Sequence, residues 1–378
     1  MKRIIAISIT FILLISVLTG CGGSEPDRTP EPAPEPAGQQ PAPQKPEPEP
    51  KPEPEEEFEK ISIIATVFPI YDWFRQIIGE ENINRFELTL LLDSGVDTHS
   101  FNPSVSDVLK IQTSDVFFYV GGHSDDWVYD VITDANSNII TESLLDILGD
   151  LVLHIPELCF DEDCEDEDDH HHHDHHHHHH HHDEDEDEDE DEEEDDHELH
   201  TDEHVWLSLR NAQLFCIAIA NKLSELDPAN EQAYRDNLNA YIAKLSVLDS
   251  EFLAAVNGAN VTTLVFADRF PFLYMMEDYG LEFYAAFSGC AAEAQAGFAT
   301  IISLAEIVDK NDLNYVIVTE TSDQSIAGQV IRNTNNGNQQ ILVLDAMKMV
   351  SQSDIQNGAT YLSIMENNLI VLKKALTN

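Results

Sequence analysis

Short apolar runs alternate with helical patterns along most of the chain after residue 60. Continuous apolar runs predict buried strands at 61–67, 86–92 and 116–122, and residues with helical spacing follow each run. The alternation resumes after residue 259, where the predicted strands are TTLVFAD, LEFYAAF, NYVIVTE and QQILVLDA. Strands that are apolar on both faces and separated by helices are typical of parallel sheets. The pattern therefore predicts an α/β fold with two Rossmann-like parallel-sheet lobes.

A long helical segment separates the two alternating regions. One helix is predicted over 206–226, and Asp227-Pro228 starts a second that ends at Asn257-Gly258. About thirty residues at 1.5 Å each make a rigid rod of roughly 45 Å. Such a rod could join two lobes with a cleft between them; the alternative is a helix that lies on one lobe. Its apolar positions recur every three or four residues, at Tyr234, Leu238, Tyr241, Leu245, Leu248 and Phe252.

The start of the chain carries export and spacer signals. Residues 1–20 combine two basic residues, an apolar run and small residues, as secretory signal peptides do. The sequence LTGC at 18–21 resembles the bacterial lipobox, which implies cleavage before Cys21 and lipid on its sulfur. That lipid would hold the protein at the outer face of the cell membrane; an ordinary secreted protein is the alternative. Residues 21–59 are rich in Pro and Glu and predict an extended linker.

These signals divide the chain into five predicted parts. The parts are a lipoprotein signal peptide (1–20), a lipid-anchored linker (21–59), an N-terminal lobe (60–207), linking helices (208–258) and a C-terminal lobe (259–378). Within the N-terminal lobe we predict an acidic, His-rich loop without fixed structure (161–203).

Negative charge is concentrated in the linker and in this acidic loop. The 378-residue chain has a formal net charge of −53 at pH 7, which argues against nucleic-acid binding because that requires a basic surface. The loop contains almost nothing apolar to bury, so it cannot offset the entropy of ordering its backbone. Twelve of the 18 His residues lie between positions 170 and 182 of this loop. They are His170, His171, His172, His173, His175, His176, His177, His178, His179, His180, His181 and His182.

The composition of the acidic loop predicts metal binding. Neutral imidazole is a ligand for Zn, Cu, Ni and Co, and carboxylates add oxygen donors. We therefore interpret the loop as an accessory segment that gathers divalent metal. A solubilising acidic spacer is the alternative, but a spacer would not need twelve His residues. A purification tag would be expected at a terminus instead.

Four further Cys residues follow the lipobox. Cys159 and Cys164 flank the start of the acidic loop, and Cys216 and Cys290 lie apart from them. Four Cys allow three pairings, among which the sequence does not choose. A disulfide between Cys159 and Cys164 and unpaired thiols both remain open.

The strand ends supply candidate metal ligands, because ligands of open α/β sheets bind at the carboxyl ends of the strands. His99 follows the second strand, and His204 precedes a Val-Trp-Leu run that we expect to be buried. A lone loop His is otherwise usually solvated. In the second lobe, Asp268, Glu320 and Asp345 end strands; each could bind the metal or cap the following helix. Two His plus one or two carboxylates would make a four-coordinate site that suits Zn²⁺, with Mn²⁺ as the alternative.

Several motifs together resemble one transport family. They are the lipobox, TVFPIYDW, GVDTHSFNPSVSDV, the acidic His-rich loop that ends in DEHVWLS, the long linking helix and the second α/β lobe. The combination resembles the ZnuA/AdcA-like lipoproteins, which are solute-binding proteins of zinc-uptake ABC transporters with a rigid helical linker. The resemblance implies zinc ligands at His99 and His204, a two-lobe fold with the metal between the lobes, and a permease with its ATPase as partners.

The second lobe departs from the family pattern. The family commonly has a third His in a Phe-His-Asp segment, and here Ala267 stands in its place. Asp268, the next residue, could take over as a ligand. The manganese branch of the family uses carboxylates from this lobe, and one of them corresponds to Asp345. The departure leaves the choice between zinc and manganese open, although the His-rich loop favours zinc.

Three functions compete at this point. The first is a carrier, expected to be monomeric, that captures zinc and delivers it to a permease. The second is a metalloenzyme such as a hydrolase, but the chain has no His-Glu-x-x-His motif and no nucleophile beside a base. The third is a surface zinc buffer or adhesin without a permease. The sequence favours the carrier and therefore predicts that the protein is not an enzyme.

Overall fold

Two four-stranded parallel sheets form the centre of the structure, one in each half of the chain. The structure is a computed structural model that describes residues 59–93, 98–133, 139–156, 200–289 and 296–377. The first sheet contains β1 (Ile61–Ala65), β2 (Phe86–Leu90), β3 (Val116–Tyr119) and β4 (Ile140–Ser143). The second contains β5 (Thr263–Phe266), β6 (Glu282–Ala285), β7 (Tyr315–Thr319) and β8 (Gln340–Leu344).

Helices cover both sheets and connect them. In the first half they are α1 (Phe68–Ile78), α2 (Val105–Gln112), α3 (Asp126–Thr133), α4 (Leu144–Leu148), α5 (Leu209–Leu226) and α6 (Glu231–Asn257). In the second half they are α7 (Leu273–Tyr279), α8 (Phe298–Lys310), α9 (Ser325–Asn333), α10 (Gln352–Gln356) and α11 (Tyr361–Thr377). Among the helices of the described ranges, none is long and apolar enough to cross a membrane.

Both sheets have the same topology. Their strand orders are β2-β1-β3-β4 and β6-β5-β7-β8, and every pair of neighbouring strands is parallel. The predicted two-lobe α/β fold is therefore confirmed. Because parallel strands end at the same edge of a sheet, the loops after β2 and β3 lie together in the first lobe. The loops after β5, β7 and β8 lie together in the second.

The long helix α6 contacts both lobes. All six of its periodic apolar residues are buried, as the sequence predicts. Near its start, the Asn237 side chain donates a hydrogen bond to the carbonyl of Ile77 in α1 (3.1 Å). Near its end, the Tyr279 hydroxyl of α7 donates to a carboxylate oxygen of Asp249 (3.0 Å). The structure therefore does not have the alternative arrangement, in which the helix would lie on one lobe only.

Several elements differ from the sequence prediction. Strand β4 and helix α4 were not predicted, and neither was the short helix α10. The pattern of 102–115 predicts a helix with Pro103 in its first turn, but α2 begins at Val105, because Ser104 is its N-cap and exchanges hydrogen bonds with Asp107 in a capping box. The predicted start of α5 at residue 206 is wrong, since Val205–Leu207 forms a separate 3-10 turn.

A short antiparallel contact closes the base of the acidic loop. The backbone N–H of Ile155 donates to the carbonyl of His200 (2.7 Å), and the N–H of Asp202 donates to the carbonyl of Leu153 (2.9 Å). Residues 200–203, which the prediction included in the loop, are thus part of the fold. The twelve loop His residues, Cys21, Cys159, Cys164 and Cys290 lie outside the described residues. Cys216 is a buried free thiol, and the predicted domain boundaries otherwise stay predictions.

Candidate metal site

His99 lies on a 3-10 turn, Thr98–Ser100, in the loop that follows β2. Its side chain is 20% exposed, and its Nδ1 atom is 2.6 Å from the hydroxyl oxygen of Ser124. Ser124 belongs to the loop after β3, which is separated from β2 in the sheet by β1 and ends at the same edge. The parallel topology therefore brings together two loops that lie 25 residues apart in sequence.

His204 is buried at the end of the closed loop base. It is 3% exposed. One carboxylate oxygen of Asp202 contacts both the backbone nitrogen and the ring Nδ1 of His204. That oxygen accepts the backbone N–H of His204 (2.8 Å) and lies 2.8 Å from its ring Nδ1. A carboxylate on Nδ1 fixes the tautomer and the orientation of an imidazole, and it raises the basicity of the other nitrogen.

The two imidazoles face the same small region. Their ring centroids are 5.4 Å apart and the ring planes are inclined by 52°. Because Nδ1 of each ring is held by a protein partner, Nε2 is the nitrogen that each ring would present to a metal. The Nε2 atoms of both rings are buried. This arrangement provides two nitrogen donors on one rigid lobe, which suits zinc.

Two carboxylates, the buried Glu203 and the half-buried Asp125, lie beside the His pair. Asp125 accepts the backbone N–H groups of Val120 and Gly121, both at 2.9 Å. Burial, with a smaller contribution from the charge of Glu203, raises the pKa of Asp125 to about 6, although those two N–H groups and His99 act in the opposite direction. The first lobe therefore concentrates negative charge next to its nitrogen donors.

The strand-end carboxylates of the second lobe are engaged in their own loops. Asp268 accepts the N–H of Arg269 (2.9 Å) with one oxygen, and both the N–H (3.0 Å) and the hydroxyl (2.8 Å) of Thr319 with the other. Glu320 accepts the N–H groups of Ala346 (2.9 Å) and Lys348 (3.0 Å). Neither residue is the N-cap of a helix in the described ranges.

Asp345 lies in a similar but more charged setting. Its carboxylate accepts the backbone N–H of Met347 (2.7 Å), and with Glu320 and Asp354 it lines a cavity of about 280 Å³. Burial, followed by the negative charge of Glu320, raises the pKa of Asp345 to about 6. In the metal-free protein, a substantial fraction of this carboxyl is therefore protonated below pH 6.

A tryptophan two residues after His204 connects the site to the second lobe. The ring N–H of Trp206 donates to the carbonyl of Ala346 (2.9 Å), and the carbonyl of Trp206 accepts the hydroxyl of Tyr361 (2.7 Å). The His204 and Trp206 rings are also in contact, with centroids 5.2 Å apart. These bonds place Ala346, which directly follows Asp345, beside the segment that carries His204.

Comparison with known proteins identifies the family. Residues 63–375 match the family model described as ZnuA, zinc-uptake complex component A, periplasmic. The chain belongs to this family. The match covers both lobes and the helices between them. The ZnuA family is described as a transport component, which agrees with the prediction that the chain is not an enzyme.

Known ZnuA-like proteins are identical to the chain at about a quarter of the aligned positions. The zinc-binding lipoprotein AdcA of Streptococcus pneumoniae is 27% identical over 315 residues, which cover 83% of this chain and 56% of that protein. The chain thus spans about half the length of the AdcA relatives it matches. The high-affinity zinc uptake system protein ZnuA of Bacillus subtilis is 24% identical over 318 residues, which cover 84% of this chain and 88% of that protein.

A solved structure agrees with the fold. The Zn(II)-bound ZnuA-like domain of Streptococcus pneumoniae AdcA has a TM-score of 0.61 at 25% identity, and the match covers 85% of this chain and 100% of that domain. The predicted resemblance to ZnuA/AdcA-like proteins is therefore confirmed.

The structure of this ZnuA-family chain brings together some of the predicted ligands. His99 and His204 lie together, whereas Asp268 and Asp345 are hydrogen-bonded within the second lobe. Among the residues that the structure describes, no group of three or more His, Cys, Asp or Glu is arranged to hold a metal ion. The cage of His99, His204, Asp268 and Asp345 therefore stays a prediction.

The sequence prediction missed four residues around the site. Asp202 and Ser124 contact the two imidazoles, and Glu203 accepts the backbone N–H of Ser124. Lys348 is 6% exposed and lines a small cavity with Thr98 and Trp206. Ser124 could have been found by the strand-end rule that identified His99, because it follows β3.

Proposed function

We propose that the chain is an extracytoplasmic solute-binding protein that captures Zn²⁺ and delivers it to the permease and ATPase of an ABC transporter. The observation that carries the proposal is the pair of His99 and His204, whose rings are each anchored through Nδ1 and whose Nε2 atoms are buried. Two neutral nitrogen donors on a structured lobe favour zinc. Membership of the ZnuA family supports the transport role. Mn²⁺ is the alternative cargo, because carboxylate donors suit it.

Carboxylates of the second lobe would complete the coordination. Asp345 has the stronger support, since the carbonyl of its neighbour Ala346 is bonded to Trp206, two residues from His204. Asp268 would have to give up its bonds to Thr319 before it could bind a metal. With two neutral imidazoles, one carboxylate would halve the charge of the divalent ion and two would neutralise it.

Two segments outside the described residues extend the proposal. Lipid on Cys21 would anchor the protein to the outer face of the bacterial membrane, and the linker at 21–59 would let the lobes reach a permease. The twelve His residues between His170 and His182 would gather metal close to the main site.

Deletion of 161–196 tests this division of labour. We expect the deleted protein to lose several weak zinc equivalents and to keep one tight equivalent, because the contact between 153–155 and 200–202 would still close the loop base. Isothermal titration of full-length and deleted protein with ZnCl₂ measures both classes of site. Loss of the tight equivalent in a folded deletion protein would mean that the loop contains a primary ligand.

A growth experiment distinguishes delivery from surface buffering. A carrier supports growth at limiting zinc only when the permease is present, whereas a surface buffer or adhesin acts without it. We expect deletion of this chain and deletion of the permease to give the same growth defect, and the double deletion to be no worse than either. Additive defects would contradict delivery to that permease.

A further inference from the structure

Glu203 is a buried carboxylate next to a proposed zinc ligand. Glu203 directly precedes His204 in the sequence and is 8% exposed. One oxygen accepts the backbone N–H of Ser124 (2.9 Å), and the other lies 3.9 Å from Nδ1 of His99. Removing a carboxylate from water is costly unless hydrogen bonds replace the lost solvation. The position of Glu203 therefore needs a reason beyond packing.

The loop after β3 is shaped to admit this carboxylate. Gly122 has a φ of +78°, in the region that favours glycine, and a Cβ atom built on it would lie 2.5 Å from the Glu203 oxygen that binds Ser124. A side chain at position 122 would displace that oxygen. The close approach of backbone and carboxylate thus depends on the glycine.

Ser124 links Glu203 to His99. Its backbone N–H is bound by Glu203, and its hydroxyl oxygen is 2.6 Å from Nδ1 of His99. Residues 203 and 204 are adjacent, so one contact chain runs from the His204 segment through Glu203 and Ser124 to His99. The chain joins two segments more than a hundred residues apart and uses only groups of the first lobe.

We propose that Glu203 is a positioning residue that holds Ser124, and through it His99, at the distance from His204 that zinc binding requires. The inference rests on the proposed function. Its physical content is preorganisation: the two nitrogen donors are set before the metal arrives, so less ordering cost is paid on binding. Loss of a residue that orients a metal ligand typically weakens binding about 10- to 100-fold.

Two substitutions in protein lacking 161–196 separate positioning from mere packing. Glu203→Ala removes the acceptor for the Ser124 N–H, and we expect zinc affinity to fall about 10- to 100-fold. Glu203→Gln keeps an acceptor oxygen of the same reach, so it should restore most of the affinity. Asp126→Asn is the matched control, because Asp126 also pairs with a His (His123) but is 70% exposed; it should bind like the parent.

A double-mutant cycle with Ser124→Ala tests the link itself. If Glu203 acts through Ser124, the double variant should bind zinc no more weakly than the weaker single variant. Additive losses, a Glu203→Ala protein that binds like the parent, or a Glu203→Gln protein as weak as Glu203→Ala would each overturn the inference. Circular dichroism shows whether the variants fold. If Glu203→Ala does not fold, Glu203→Gln should still bind zinc close to the parent and Ser124→Ala alone should bind more weakly; Ser124→Ala at parent affinity would overturn the inference. A parent protein without tight zinc binding would instead refute the proposed function.

Discussion

The two lobes have the same sheet topology but use their strand-end polar residues differently. In the first lobe, the side chains of His99 and Ser124 meet across loops, and Glu203 and Asp202 support them. In the second lobe, the strand-end carboxylates Asp268, Glu320 and Asp345 accept backbone N–H groups of their own lobe. One lobe fixes nitrogen donors in place, and the other uses its oxygen donors to order its own loops.

This difference bears on how metal is held. A donor that is already oriented contributes its full strength on binding, whereas a donor that first gives up hydrogen bonds contributes only the surplus. The first lobe should therefore dominate affinity. The second lobe should modulate zinc affinity and the pH dependence of that affinity. Its carboxylates would exchange hydrogen bonds with backbone N–H groups for bonds to the metal.

The largest effect should come from the nitrogen donors. We expect His99→Ala or His204→Ala in the protein lacking 161–196 to weaken Zn²⁺ binding by about 100-fold or more, since each removes one ligand of a four-coordinate site. Competition titration against a zinc-binding dye measures the change. His123→Ala is the control, because His123 also follows a strand of the first lobe but its side chain is 96% exposed.

Unchanged tight binding in either ligand variant would remove that residue from the site. A loss of equal size in His123→Ala would show that the assay responds to any His in the lobe, and the comparison between the lobes would then have no support.

A smaller, pH-dependent effect should come from Asp345. Burial and Glu320 raise its pKa in the metal-free protein to about 6. A carboxyl with a raised folded-state pKa stabilises the fold below its ordinary pKa, and that contribution is lost as pH rises through about 6. We therefore compare the effect of Asp345→Asn on the free energy of unfolding of the metal-free protein at two pH values. The effect should be about 2 kcal/mol more stabilising at pH 7 than at pH 4. Urea denaturation at both pH values checks this.

The same residue should sharpen zinc release in acid. Protons compete with zinc for the carboxylate of Asp345 near pH 6. We expect zinc affinity to fall steeply from roughly pH 6 to pH 5. Asp345→Asn should reduce the slope of log Kd against pH by about one, because one competing proton is removed. An identical slope in the two proteins would indicate that Asp345 is not a ligand.

Hydrophobic periodicity was sufficient for most of the fold. The six spaced apolar residues of α6, from Tyr234 to Phe252, are all buried as predicted, because burial of one helix face depends on local spacing. The segment 140–148 was missed because its strand and helix have only four and five residues, which is too short for a clear period.

The site was predictable only where topology determines it. The strand-end rule placed His99 at the edge of the first sheet where ligands bind, because parallel strands end at the same edge. Asp202 and Glu203 could not be separated from the acidic run that precedes them, because they have the same residue types as their neighbours. Their burial comes from contacts with Leu153 and Ser124, which are distant in sequence.

The smallest effect should come from restoring the family His at position 267. In the structure Ala267 is 1% exposed, belongs to the core cluster of the second sheet, and donates its N–H to the carbonyl of Ile317 (2.9 Å). An imidazole there would overpack the core at a cost of about 1–3 kcal/mol. We therefore expect Ala267→His to lower stability and to leave the ratio of Zn²⁺ to Mn²⁺ affinity nearly unchanged.

Ala305→His provides the matched control, because Ala305 lies in the same core cluster and is equally buried. Competition titration of Zn²⁺ against Mn²⁺ measures selectivity, and urea denaturation measures the packing cost. If Ala267→His raises zinc preference while Ala305→His does not, position 267 reaches the metal, and the adjacent Asp268 gains support as a ligand. If both variants only lose stability, position 267 is part of the core, and Asp268 should be withdrawn from the ligand set, leaving Asp345 as the second lobe's oxygen donor.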